Sequence, residues 1–403
     1  MNGRNVGASS PTSAPVFTVQ RSAAGWSFVD SAGERFFSRG LNHADETNLQ
    51  YPSNIDIWRK RYGSRDAWIT QGVVRDLRNW EFNTVGWTAE CVAVGDIDVN
   101  DWDAAFDAKH SPQWSRRDHD AAGMPYCVAL PVASIEGWNI NPQYPDVFSR
   151  EWEDWCAFVG RSIVLDYADD PNLIGYFLTD VPAWTGHPTG AGFSENGSRG
   201  LGAIAEKYYR TVHDAIRSYD PDHLILGDRY NGNRAIPAPV LEAMEPYVDV
   251  LSVQYFPEAS DEGRDRMRED LAALHTDTGK PVLIADIGNW CATPSNPHRG
   301  SELLDQQERG KDYVAALSRV ADEPWLIGWH WCAYIENTAR GWGLKDPFDS
   351  PYDDIVSQIT EFNLAHATRV RARTNAASAA STLPPSETAD MAASTHPRKD
   401  THA

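Results

Sequence analysis

Two aspartates stand where apolar runs stop. Asp180 closes the run 173–179 and is followed by Val181, Pro182 and Trp184, while Asp286 closes the run 281–285. An acid at the end of such a run is commonly a turn cap. The residues before Asp286 are apolar enough to bury it, however, and a desolvated carboxylate is costly without a partner or a task. Neighbouring runs end on further acids, aromatics, amides and bases: Asn42 and His43, Trp87 and Glu90, Glu136, Trp184, Asp228 and Arg229, Tyr255, Trp290, and finally His330, Trp331 and Glu336. Hydrolysis of a glycosidic bond uses this kind of set. One carboxyl protonates the leaving oxygen while the other attacks the anomeric carbon or activates water.

Asp286 is therefore the expected attacking group, and Asp180 the group that donates and later retrieves the proton. Repulsion between the two raises one pKa and supplies an acid near neutral pH. Carboxyls about 5–5.5 Å apart retain configuration, and those about 6.5–9.5 Å apart invert it. Two short Asp side chains reach less far than two Glu, so inversion stays open beside retention. The other residues named are candidates for holding substrate, each with a plainer reading. Glu90 and Glu136 read first as solvated loop acids and second as functional carboxyls. Tyr255 reads as core or as a rim residue at the end of its strand. Of His330 and Trp331, alternation along a strand turns at least one toward a pocket. No histidine-rich cluster or phosphate loop is present, so no metal and no cofactor are expected. A metal-dependent hydrolase built on Asp228, Asp286 and His330 is an alternative whose spacing matches no known ligand signature.

These residues need a frame. A hairpin with its turn at Ser31-Ala32-Gly33 leads into a first strand at 36–42. Further β-like runs lie at 82–90, 124–134, 172–180, 223–230, 248–256, 281–290 and 326–334, which makes eight strand candidates. Helical periodicity follows the first strand near 66–81 and recurs at 148–168, 198–218, 261–278 and 302–322. Eight strands alternating with helices predict a (β/α)8 barrel, an α/β fold whose active site sits at the C-terminal strand ends. A doubly wound sheet would carry a Gly-rich phosphate loop after the first strand, and "RGLNHAD" is not one. The expected organisation is a disordered 1–15, one catalytic barrel over 16–366 and a low-complexity tail over 367–403. Long loops at 91–123 and 134–148, carrying Trp102, Trp114 and Trp138, would wall off one end of the site and favour exo action.

Composition narrows the partners. The 403 residues include 16 Trp, 15 Tyr and 13 Phe, a surplus of flat rings suited both to core and to stacking on sugars. A net charge of −21 repels phosphate backbones and anionic membranes, so the expected partner is a carbohydrate rather than nucleic acid or lipid. A homo-oligomer is compatible with the sequence. The five Cys (Cys91, Cys127, Cys156, Cys291 and Cys332) are widely spaced and read as buried free thiols. The first residues hold no apolar leader core, which predicts a cytoplasmic protein. A secreted chain after leader removal would read the same.

The stretches "GWSFVDSAGERFFSRGLNH", "NLIGYFLTDVPAW", "KPVLIADIGNW" and "GWHWCAYIENTARGWGLKD" together resemble agarase-like members of clan A of the glycoside hydrolases, over about residues 17–365. The resemblance implies a (β/α)8 barrel, retaining hydrolysis, and carboxylates at the ends of strands four and seven. It also shows departures. Strand four usually ends in Asn-Glu, with Glu as acid/base. In the register set by "GYF" these positions hold Asp180 and Val181, whereas a one-residue slip puts Thr179 and Asp180 there. Strand seven carries Asp286 where a Glu nucleophile is usual, and Glu336 follows strand eight. A barrel that binds sugar without cleaving it is the competing expectation.

Overall fold

The computed structural model describes residues 16–94, 98, 100–101, 104–193, 200–337 and 342–381, with side chains to residue 374. The expectations for 1–15 and for Trp102 lie outside the described residues, as does the tail beyond 381. Eight strands close a parallel barrel: β1 (Ser38–Leu41), β2 (Thr84–Val85), β3 (Tyr126–Ala129), β4 (Leu173–Asp180), β5 (Leu224–Asn231), β6 (Leu251–Gln254), β7 (Val282–Ile287) and β8 (Leu326–Trp331), with β8 pairing back onto β1. All eight expected strands are present, most of them shorter than the apolar runs that announced them.

A three-stranded antiparallel sheet (Thr18–Ser22, Gly25–Val29, Arg35–Phe36) precedes the barrel. The turn after Val29 contains Gly33 at φ 83°, a conformation that favours glycine. Phe17 and Phe28 from this region pack on Cys127, Ile174, Leu224, Leu226, Val250, Leu283, Ala285 and Ile327. That cluster fills the barrel interior beneath the mouth. The second, larger core lies between the strands and the surrounding helices. In the helix Leu201–Arg217, Ile204, Tyr208, Val212 and Ile216 recur every four residues and are buried, the stripe an amphipathic helix turns inward.

Two strand irregularities aim the functional side chains. On β5, Leu224 and Leu226 face the interior. Gly227 then takes φ 74°, and the register against β4 shifts on both sides of it. The shift exchanges the two faces, so Asp228 turns toward the helices and Arg229 toward the barrel axis. On β7, register shifts around Asp286 against both neighbours re-aim its side chain at the mouth, as bulges do.

The C-terminal region corrects one expectation. The helix Asp353–Ser381 continues past residue 366, where the barrel was expected to give way to a disordered tail. Residues 369–381, "RVRARTNAASAAS", are rich in Ala and Arg, both strong helix formers, so propensity outweighs low complexity there. Among the described residues, no helix is long and apolar enough to cross a membrane.

Candidate active site

At the C-terminal ends of the strands lies a cavity of about 670 Å³. Asp180, Asp286 and His43 line it, with Trp87, Trp138, Trp184, Trp290 and Trp342 among its walls. Most of its polar chemistry converges on the two aspartates.

Asp286 is buried, with 3% exposure. Its Oδ1 accepts from Asn42 Nδ2 at 2.7 Å; its Oδ2 lies 3.1 Å from Arg229 Nη2 and 3.5 Å from His43 Nε2. Burial would raise its pKa, but the His43 hydrogen bond, the Arg229 and His43 charges and the Asn42 amide outweigh burial and lower it. Asp180, at the end of β4, accepts through Oδ1 from Arg229 Nη1 at 2.7 Å and from Gln254 Nε2. Its Oδ2 lies 3.4 Å from the Trp138 indole nitrogen. One guanidinium thus grips both aspartates, which confines the facing oxygens to within about 8 Å of each other. Arg229 is 1% exposed and lies over the faces of Trp87 and Phe177, at 4.8 and 5.5 Å.

His43 sits at φ 55°. Its Nδ1 donates to the Ala89 carbonyl at 2.5 Å, which leaves Nε2 for Asp286. Burial would lower its pKa, but Cys332, Glu90 and Asp286 together hold it well above the ordinary histidine value.

The structure separates the remaining candidates. Trp87, Trp184 and Trp290 line the cavity. Asn42 does not, because its amide is spent on Asp286, the Ala285 carbonyl and the Trp87 N–H; it holds the Asp286 carboxylate in place. Glu90 is buried beside the site, where its Oε1 accepts from the Cys91 N–H. Glu136 is buried in the loop after β3, hydrogen-bonded to Asn139, and burial with the nearby Asp180 charge pushes its pKa up to about 7. The solvated reading of these two acids fails.

Five expectations of substrate contact are corrected. Asp228 is fully buried on the helix side, where it accepts from the Thr179 N–H and the Tyr209 hydroxyl, and burial raises its pKa to about 6. Tyr255 points outward and donates to Asp270 on the helix Asp261–Thr278; its inward neighbour Gln254 takes the position at the mouth. His330 faces the interior below Arg229, 2.9 Å from the Ser38 hydroxyl, and burial drops its pKa to about 3. Trp331 packs outward against Tyr313. Glu336 is buried among Thr293, Asn296 and Tyr352 and anchors the loop after β8. Of the expected loop tryptophans, Trp138 walls the cavity, while Trp114 is core against Trp68. The metal alternative loses its geometry as well, since Asp228 and His330 point to different sides of the barrel wall. Gln254 and Cys332 are the contributors that the sequence did not single out.

No protein-family model matches the chain. Beta-agarase B of Vibrio sp. (strain JT0107) is 29% identical over 174 residues, covering 40% of this chain and 17% of that protein. Beta-agarase A of the same strain is 23% identical over 386 residues, covering 80% of this chain and 38% of that protein. The likeness is to agarases. Among solved structures, an exo-beta-agarase superposes with a TM-score of 0.66 at 16% identity, covering 88% of this chain and 66% of that one. At that identity the structural match speaks for the barrel fold. The chain spans less than two fifths of the length of the curated relatives it matches.

Val181 bears on the departure from the family pattern. It lines the cavity next to Asp180 and holds φ 34°, a strained value for a β-branched residue. Backbone bonds to Arg229 and Gly137 fix it there, at 2.9 Å each.

Proposed function

We propose that the chain is a glycoside hydrolase of the clan A type, cleaving a neutral saccharide held in the aromatic-walled cavity. The observation that carries this is the convergence of Asp180 and Asp286 on one cavity at the barrel mouth. Asp286 is the attacking carboxylate. Its lowered pKa keeps it ionised, and Asn42, His43 and Arg229 fix its orientation. Asp180 transfers the proton through Oδ2, the oxygen not engaged by Arg229. Retention of configuration follows if the reacting oxygens close to about 5–5.5 Å on substrate binding. The wall formed by Trp138 supports exo action on short glycosides.

A second reading rests on Val181 and Arg229. If "GYF" sets the register, the acid position holds a valine, and the Arg229 cation holds Asp180 as an acceptor. The chain would then bind sugar without cleaving it. A screen of aryl pyranosides and furanosides in both anomers, with product configuration followed by NMR, tests the proposal. Turnover with one retained anomer supports it. Sugar binding without turnover on any substrate supports the second reading.

A further inference from the structure

Cys332 follows β8 directly, and its thiol lies beside His43 and Asp286, two residues of the cavity lining. The three ligand atoms, His43 Nε2, an Asp286 oxygen and Cys332 Sγ, all lie within 4.8 Å of one another, and all three residues are buried. We propose that this trio is a binding site for a thiophilic divalent cation of the Zn²⁺ class, and that occupancy blocks hydrolysis.

The ligand chemistry fits. One imidazole nitrogen, one carboxylate oxygen and one thiolate, with a fourth position left for water, make an open tetrahedral zinc site. With bonds of about 2.0–2.3 Å, a tetrahedral ion holds its ligand atoms roughly 3.3–3.8 Å apart. The 3.5 Å between His43 Nε2 and Asp286 Oδ2 already matches that span. The thiol lies within 4.8 Å of the other two atoms, and closing up to about 1 Å takes a χ1 turn of roughly 30°, at a cost on the order of 0.5–1.5 kcal/mol that metal binding must offset. His43 and Asp286 line the cavity, so the fourth position opens toward it.

The supporting contacts are also those of a metal site. A ligating histidine typically gives its other N–H to a carbonyl or carboxylate, and ligating carboxylates are themselves hydrogen-bonded. Here His43 Nδ1 binds the Ala89 carbonyl, and Asp286 Oδ1 binds the Asn42 amide. Both leave the inward atom as the donor. The neighbouring Arg229 Nη2, 3.1 Å from Asp286 Oδ2, loses part of that contact when a cation enters, while Nη1 stays on Asp180. Binding is a proton exchange without redox change. The cation replaces the protons on His43 Nε2 and Cys332 Sγ, which pass to solvent.

The inhibitory half rests on Asp286 as the attacking group, because the ion occupies the oxygen that would reach the anomeric carbon. The test separates the two halves. The full chain is titrated with Co²⁺ and followed by absorbance, then with Zn²⁺ in competition against a chromophoric chelator. The expected result is one tight ion per chain and a thiolate-to-cobalt charge-transfer band. That band disappears in Cys332→Ser, which also loses more than about 100-fold in affinity, beyond the roughly 10–100-fold cost of an outer-shell partner. Cys156→Ser serves as the thiol control and keeps both. A band that survives Cys332→Ser, or loose binding to several acidic surface sites, overturns the site. If the site binds as described and Zn²⁺ leaves turnover of an active glycoside unchanged, the blocking claim falls and the site stands.

Discussion

Arg229→Met is the most informative stability perturbation. The guanidinium is 1% exposed and pairs with Asp180 at 2.7 Å and Asp286 at 3.1 Å. Met keeps most of the volume and the apolar contact with Trp87 and Phe177, so the change isolates the charge. Removing one partner of a buried ion pair typically costs about 3–5 kcal/mol, because the other charge stays buried without compensation. Asn42 and His43 still serve Asp286, and Gln254 still serves Asp180, which places the expected loss toward the lower end. At about 2.1 cal/mol/K of unfolding entropy per residue, a 403-residue chain shifts by roughly 1.2 °C per kcal/mol, so Tm falls by about 4 °C at neutral pH. The pH dependence carries a definite sign. The folded-state pKa of Asp286 lies below its ordinary 3.8. Its contribution is therefore fully present above that value and is lost as pH falls through the lower, folded one. The gap between wild type and variant should be widest near about pH 6–7 and shrink below about pH 4. Urea denaturation at a series of pH values measures it. A loss under about 1 kcal/mol at neutral pH, the usual worth of an exposed pair, or a gap that does not change with pH, refutes the clamp.

Three further outcomes follow from the same geometry. Glu136 titrates near 7 rather than 4.5 and is buried, so its ionisation weakens the fold as pH rises between those values. Glu136→Gln should gain up to about 3 kcal/mol on wild type above pH 8, at 1.36 kcal/mol per unit, with no gain at pH 4; parallel pH–stability curves would contradict this. Val181→Glu puts a carboxyl at the acid position of the "GYF" register; with Asp180 as the proton donor, aryl-glycoside turnover should not rise in the folded variant, and a rise of about 100-fold or more, the usual worth of general acid catalysis, would favour the second reading. Gly40→Ala drives a methyl into the buried His330 ring and should cost about 1–3 kcal/mol in thermal denaturation; a neutral result would show that His330 has room to move.

The frame was legible because helical periods separate most neighbouring strands between residues 36 and 334, although the short helices Arg116–Ala122 and Ala238–Met244 left no such signal, and the two aspartates were legible because each ends an apolar run. Side-chain direction was not. Gly227 changes the parity of β5, which sends Asp228 to the helices and Arg229 inward, and a period-2 count cannot see a shift of that kind. The register shifts beside Asp286 work in the opposite sense, turning a strand residue toward the mouth. On β8 neither His330 nor Trp331 reaches the cavity, because one lies below its floor and the other packs against Tyr313. Glu336 looked like a rim acid but is consumed by Thr293, Asn296 and Tyr352, partners that only the folded loop brings together. Cys332 passed for an inert buried thiol. Its neighbours His43 and Asp286 are 289 and 46 positions away in sequence, and nothing local announces them.

The central claim is that Asp286 performs chemistry at a sugar held in the cavity. Asp286→Asn keeps the size of the side chain and its bond to Asn42, and removes the charge. Turnover of the best aryl glycoside and affinity for the corresponding free sugar, measured on the same preparation, test it directly. The account predicts a loss of at least about 1,000-fold in kcat, some 4 kcal/mol of transition-state stabilisation, with sugar affinity held within a few-fold. A variant that turns over like wild type, or one that loses sugar binding and turnover in equal measure, would contradict it.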